Sequence, residues 1–183
     1  MIDRDRAFAL LQEYGPEPHM LEHALFSEAV LRAMAGRLGE DENLWALAGL
    51  LHDLDYPQTK NCPEQHGVNG AAALEGLLPQ EALHAIAAHN SECTQVAPQS
   101  RLDYALRAGE TITGLVHAAA LMRPTGMEGM QIKSLKKKMK DKAFAAAVSR
   151  DRIGECENAG IGLDDFLALA IEAMAPLHAP NAG

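Results

Sequence analysis

The chain has 183 residues, enough for one domain with a sizeable core, and no break in composition argues for a second. Its formal charge of −9 excludes general nucleic-acid binding, because an acidic surface repels the phosphates that such a face must neutralise. Alanine and leucine dominate, aromatics are only 4%, and the alternating β-branched pattern of strands is missing, so the composition predicts an almost wholly helical fold. Cys62, Cys93 and Cys156 are odd in number and widely spaced, which suits a reducing compartment better than a disulfide framework. With neither a hydrophobic signal core nor a run of roughly 18 apolar residues, the sequence predicts a soluble, cytoplasmic protein without membrane association.

Asp3 is the expected cap of a short helix carrying Phe8, Leu10 and Leu11, which Gly15-Pro16 stops. A second helix is expected from Pro18 to Leu38-Gly39, with Met20, His23, Phe26, Ser27, Val30, Met34 and Leu38 on one stripe. His23 therefore points inward, either as a hydrogen-bonded core residue or as a ligand. Asp41 can cap a third helix through Leu44, Leu47, Ala48 and Leu51. That apolar run ends in His52-Asp53, with Pro57 expected to keep the helix from continuing. Neighbouring side chains on a helix diverge by roughly 100°, so His52 and Asp53 converge only on something between their faces, and a metal ion is the usual candidate. The plain alternative is a helix end at which Asp53 fixes a loop.

His66-Gly67 precedes a small-residue helix over Val68-Asn69-Gly70-Ala71-Ala72, although alone it also reads as an exposed loop histidine. Pro79 begins the next helix, which ends at His89-Asn90 with His89 inward and His84 on the surface. A longer helix is expected from Leu102 to His117, with Glu110 in line with Leu106, Thr113 and Gly114. A carboxylate there is either a solvated group or a paired or metal-bound one. Thr113 and His117, on the same line, are candidates to orient ligands.

After Arg123-Pro124, six of the sixteen basic residues crowd into Lys133, Lys136, Lys137, Lys138, Lys140 and Lys142. Such a run is a solvated face or a flap that draws in a phosphorylated ligand, with Lys133, Lys137 and Lys140 as candidate substrate contacts. Ala143 to Val148, Ile153 to Ala159 and Leu163 to Leu177 read as closing helices.

His23, His52-Asp53, His66, His89 and Glu110 are thus polar groups delivered by successive helices. Their order resembles the HD superfamily, the helical metal-dependent phosphohydrolases. The likeness extends to a bacterial and archaeal group of predicted HD-domain hydrolases through Ala48-Gly49-Leu50-Leu51-His52-Asp53, His66-Gly67, Ala85-Ile86-Ala87-Ala88-His89-Asn90, Thr113-Gly114-Leu115 and Lys140-Asp141-Lys142-Ala143-Phe144. The resemblance implies a single all-α HD-domain helical bundle over 1–183, with a metal-binding core at about 18–120 and a helical extension at about 130–178. It implies that His23, His52, Asp53 and the carboxylate at 110 hold one metal. His66 and His89 hold a second, with Asp53 bridging and with His52 and Asp53 at the catalytic centre. The metals implied are divalent transition ions, iron or manganese, with zinc, cobalt or nickel as alternatives.

Mixed imidazole and carboxylate ligands suit such ions independently of the family, and two of them can clamp a phosphoryl group and activate a water. The expected activity is hydrolysis of a small phosphorylated molecule, a nucleotide or phosphoester. The alternatives are a dinuclear-iron oxygenase of the same superfamily, as in inositol oxygenase, or a catalytically impaired ligand-binding or regulatory module. The last arises because Gly109-Glu110 stands where the family has Ala-Asp.

Overall fold

The structure, a computed structural model, describes residues 1–178, and among these every regular element is a helix. Capping side chains set where several helices begin. Asp3 accepts from the Arg6 amide to open α1 (Arg4–Glu13), and Asp41 accepts from Asn43 and Leu44 to open α3 (Glu42–Leu51). Between them α2 (Pro18–Leu38) starts on its proline and stops at Gly39, in the left-handed conformation that glycine tolerates. Caps of this kind each stabilise a helix by about 1 kcal/mol.

Pro57 does not end the preceding helix. α3 closes six residues earlier, and Pro57 occupies the first turn of a short helix, α4 (Tyr56–Thr59), where its missing amide proton costs nothing. His52-Asp53-Leu54-Asp55 is therefore a turn between two helices. It is followed by α5 (Val68–Ala73), α6 (Gln80–Ala88) and the single turn α7 (Ser91–Thr94). The long α8 (Arg101–Leu121) begins with a reciprocal capping box between Ser100 and Asp103. His84, expected on the surface, is partly covered instead: its Nδ1 lies 2.9 Å from the buried Asp103 carboxylate.

α8 is the central post, packed by α2, α3, α6 and the C-terminal helices α9 (Ile132–Lys140), α10 (Arg150–Gly154), α11 (Cys156–Ala159) and α12 (Leu163–Met174). Leu106, Ala108, Ile112, Leu115 and Val116 are fully buried there, as expected of a helix covered on nearly every side. Against it α2 and α3 come so close that a Cβ on Gly49 would stand 2.7 Å from the Ser27 carbonyl oxygen. That contact fixes the end of α3, and with it His52, against α2.

The lysine-rich segment forms the regular helix α9, held to the core by Leu135. One stretch of the C-terminal region differs from expectation. Ala143 to Val148, expected to be helical, is a sequence of turns. The Arg150 guanidinium donates to the carbonyls of Asp141, Phe144, Ala145 and Val148, and its Nε to that of Met139, so one side chain supplies the partners a helix would have provided. No helix among the described residues is long and apolar enough to cross a membrane.

Candidate metal centre

Five side chains converge where the turn after α3 meets α2, α6 and the approach to α5. His23 comes from the second turn of α2, His52 and Asp53 from the end of α3, His66 from the loop before α5, and His89 from the C-cap of α6. His52 Nε2 lies 3.1 Å from His23 Nε2 and 3.4 Å from Asp53 Oδ2, and the His23-to-Asp53 Oδ2 distance is 3.7 Å. On the other side, Asp53 Oδ1 lies 3.1 Å from His66 Nε2 and 3.4 Å from His89 Nε2, with the two imidazole nitrogens 3.1 Å apart. The two oxygens of one carboxylate thus face two separate histidine pairs.

The distal nitrogens show what the converging ones are for. His52 Nδ1 and His89 Nδ1 meet the carbonyl oxygens of Gly49 (2.8 Å) and Ile86 (2.6 Å), which only accept, so each Nδ1 carries the proton. Thr113 gives its hydroxyl proton to the Glu110 carbonyl and so accepts from His23 Nδ1 at 2.9 Å. His66 Nδ1 donates to Asp55 Oδ1 at 3.0 Å, while Asp55 Oδ2 accepts from the amides of Gly67 and Gly70. With all four Nδ1 atoms engaged as donors, each ring turns its Nε2 toward Asp53, as a lone pair where the ring is neutral and as an N–H where it is charged. Lone pairs so placed repel unless a cation, a proton or a metal ion, lies between them.

The spacing fits a metal ion at five of the six separations, with only the 3.7 Å from His23 to Asp53 Oδ2 wider. Donors bound to a single ion at about 2.1 Å lie roughly 3.0–3.4 Å apart for right-angled to tetrahedral geometry. Each histidine pair with its Asp53 oxygen could hold a metal ion, and imidazole with carboxylate suits a transition metal. The electrostatics agree. Burial raises the Asp53 pKa, but the His52, His66 and His89 rings outweigh it and hold that carboxyl well below the usual range. Burial lowers the His66 pKa, but the hydrogen bonds to Asp53 and Asp55 carry it up to about 9 without metal. His23, buried and beside His52, is lowered.

Gly67 is required by this packing. Its φ of +87° is unfavourable for other residues, and a Cβ there would stand 2.7 Å from the Ile86 carbonyl and 2.9 Å from the His89 ring.

Glu110, the remaining candidate, is brought near without joining either group. Its Oε2 stands 3.9 Å from His23 Nε2, while Oε1 accepts from Thr111 at 2.5 Å and from Arg152 at 3.4 Å. Gly109 does not relax the backbone for it; the space is filled by Leu31 of α2. A cavity of about 500 Å³ opens at His23 and Glu110, lined further by Glu92, Thr111, Ser149 and Arg152. Lys133, Lys137 and Lys140 do not line it. They line a different depression with Ile132, Lys136 and Asp164. His117 turns away from the ligands toward Glu22, Phe26 and His178.

Sequence reasoning missed Asp55, Arg107, Glu92 and Arg152. For Asp55 a signal existed, a second aspartate two residues after Asp53 in a turn. The others form a chain of ion pairs from α6 to the cavity. Buried Arg107 donates to the Ala88 and His89 carbonyls and pairs with Glu92 and Glu155; Glu92 in turn pairs with Arg152. No local pattern marks such partners.

Comparison with known proteins agrees with this arrangement. Over 97 residues the chain is 32% identical to Ribonuclease Y of Oleidesulfovibrio alaskensis, a match covering 52% of this chain and 18% of that protein. No solved structure matches. The model of the family described as HD domain matches residues 20–141, a span that contains all five converging side chains and Glu110, and the chain therefore belongs to the HD-domain family.

Proposed function

We propose that this protein is a metal-dependent phosphohydrolase that cleaves a small phosphorylated molecule, a nucleotide or phosphoester, using two transition metals, iron or manganese. The observation that carries this reading is the Asp53 carboxylate placed between two histidine pairs at ligand spacing, beside a cavity of about 500 Å³. His23 and His52 with Asp53 would hold one ion, and His66 and His89 with Asp53 the other, with Glu110 within reach of the first. Bound there, the metals would supply Lewis acidity toward a phosphoryl oxygen and a water acidic enough to ionise at neutral pH.

The protein's own groups do the rest. Thr113, Gly49, Asp55 and Ile86 fix the ring orientations, so that the four Nε2 atoms keep their lone pairs directed inward. Glu110, on the cavity wall and 3.9 Å from His23, can accept a proton from a water at that edge. We propose a small molecule rather than RNA, despite the name of the relative. The chain matches only 18% of that protein, its net charge is −9, and its lysines lie away from the cavity.

The test is turnover of a broad phosphoester and nucleotide panel by protein loaded with iron, manganese, cobalt or zinc, alongside oxygen uptake by the reduced iron form. The expected result is metal-dependent phosphate release without oxygen consumption. Loaded protein that releases no phosphate from any panel member overturns the proposal, and oxygen uptake with a candidate substrate favours the oxygenase alternative. A second reading, a binding or regulatory module, is favoured by the engagement of Glu110 with Thr111 and Arg152; ligand binding without turnover supports it.

A further inference from the structure

The cavity beside the metal centre has a guanidinium on its wall, and the groups that hold it are the informative part. Arg152 Nε donates to Glu92 Oε1 at 3.0 Å and Nη2 donates to Glu92 Oε2, a bidentate fork on one carboxylate. Its remaining arm, Nη1, reaches Glu110 Oε1 at 3.4 Å. A fork closed on a carboxylate is equally matched to two oxygens of a phosphoryl group. It stands one carboxylate away from His23.

Glu92 is not bound to Arg152 alone. Arg107, whose side chain is only 4% exposed, donates to both Glu92 oxygens, Nη2 to Oε1 at 2.8 Å and Nη1 to Oε2 at 3.3 Å, while Glu155 and the C-terminal end of α6 hold Arg107 in place. The Glu92 side chain is half exposed at the cavity mouth. It can therefore leave Arg152 without losing a cationic partner, whereas Arg152, freed of Glu92, needs another anion.

We propose that Arg152 is the phosphate anchor of this cavity and that Glu92 is the carboxylate the incoming phosphoryl group displaces from it. The inference rests on the phosphohydrolase reading and names the group that recognises its substrate. It assigns that role to a residue some 40 positions beyond Glu110 in the chain and away from the lysine-rich helix α9. Glu92 then acts as a selectivity device: a neutral or singly hydrogen-bonding ligand does not repay its displacement, and a phosphoryl dianion does.

Inorganic phosphate is the probe. Calorimetric titration into the metal-loaded full chain compares wild type with Arg152→Gln, Arg152→Lys and Glu92→Gln, with metal content measured on each. Arg152→Gln is expected to weaken phosphate binding roughly 10- to 100-fold at unchanged metal content, because a charge-assisted bidentate contact is lost. Arg152→Lys recovers only part, lacking the planar fork, and Glu92→Gln binds phosphate severalfold more tightly because the competing anion is gone. A purely structural role predicts the opposite sign for Glu92→Gln. Phosphate binding by Arg152→Gln within twofold of wild type, weakening by Glu92→Gln, or no phosphate binding by wild type overturns the assignment. Phosphoester turnover with an unchanged KM in Arg152→Gln removes the anchor and leaves the phosphohydrolase reading standing. Absence of turnover with the expected order of phosphate affinities does the reverse.

Discussion

The two sides of Asp53 are held by different means. On one side, the turn that follows Asp53 itself fixes His66: Asp55 takes its Nδ1 while accepting from Gly67 and Gly70, and His89 is fixed by Ile86 in its own helix. On the other, His23 is oriented by Thr113, 90 positions away, and Glu110 is held by Arg152, 42 positions away. His66 and His89 are 13% and 5% exposed; on the other side His52 is 1% exposed and His23 alone, at 24%, opens toward the cavity. The first half is assembled by neighbouring segments and closed. The second depends on docking of α2, α8 and the C-terminal region, and it is the half that meets the cavity.

The change that breaks both halves together should have the largest effect. Asp53→Asn removes the shared anion, and metal analysis should find both positions depleted, with turnover reduced by more than the roughly 100-fold that loss of an outer partner costs. Asp55→Asn separates the halves. It weakens the hold on His66 and should cost about 10- to 100-fold in affinity for one metal equivalent while the other binds normally. Equal loss of both would erase the distinction drawn here.

Proton release sharpens the comparison further. The metal-free His66 pKa is about 9, above the ordinary histidine value of 6.5, so at pH 7 this ring is charged and must lose its proton to bind metal. Affinity in its half should therefore rise by up to about tenfold per pH unit toward pH 9, with about one proton released at pH 7. His23, lowered by burial, adds no such dependence above pH 7, whereas its partner His52, where burial is outweighed by the Asp53 carboxylate, is raised and adds to it. For the metal-free fold, the raised His66 pKa gives stability that is full below pH 6.5 and lost as pH rises through about 9; thermal melts of stripped protein across that range check the sign.

Smaller effects are expected at the periphery. Glu110→Asp draws the carboxylate back from Arg152 and should change metal affinity in the His23 half a few-fold, leaving the His66 half as it was. No change in metal or activity would remove Glu110 from the site. Replacing Lys133, Lys137 and Lys140 together by alanine should alter KM by less than about twofold, since these residues lie outside the cavity and exposed charges so placed contribute little.

Much of this was legible in the chain. The helical stripe of α2 put His23 inward, the end of the apolar run put His52-Asp53 at a boundary, and the small residues after His66 announced a close approach that Gly67 makes against His89. Other parts were not. The alanine-rich run from Ala143 reads as helix by propensity, but the carbonyls captured by Arg150 override it, and propensity is weak beside such tertiary partners. The lysine cluster looked like the source of positive charge for a phosphorylated ligand because charge density is visible in a sequence and direction is not.

What the sequence by itself determined is the all-helical class and that His23, His52-Asp53 and His89 sit at inward or helix-terminal positions, because periodicity and caps act within a few residues and a buried histidine leaves its mark on a stripe. Only the tertiary structure decided which groups share a carboxylate, that Glu110 is divided between His23 and Arg152, and that Arg107 ties Glu92 to α6. Those are pairings between side chains from distant segments, made by the packing of α8 against its neighbours, and no short-range rule of the chain encodes them.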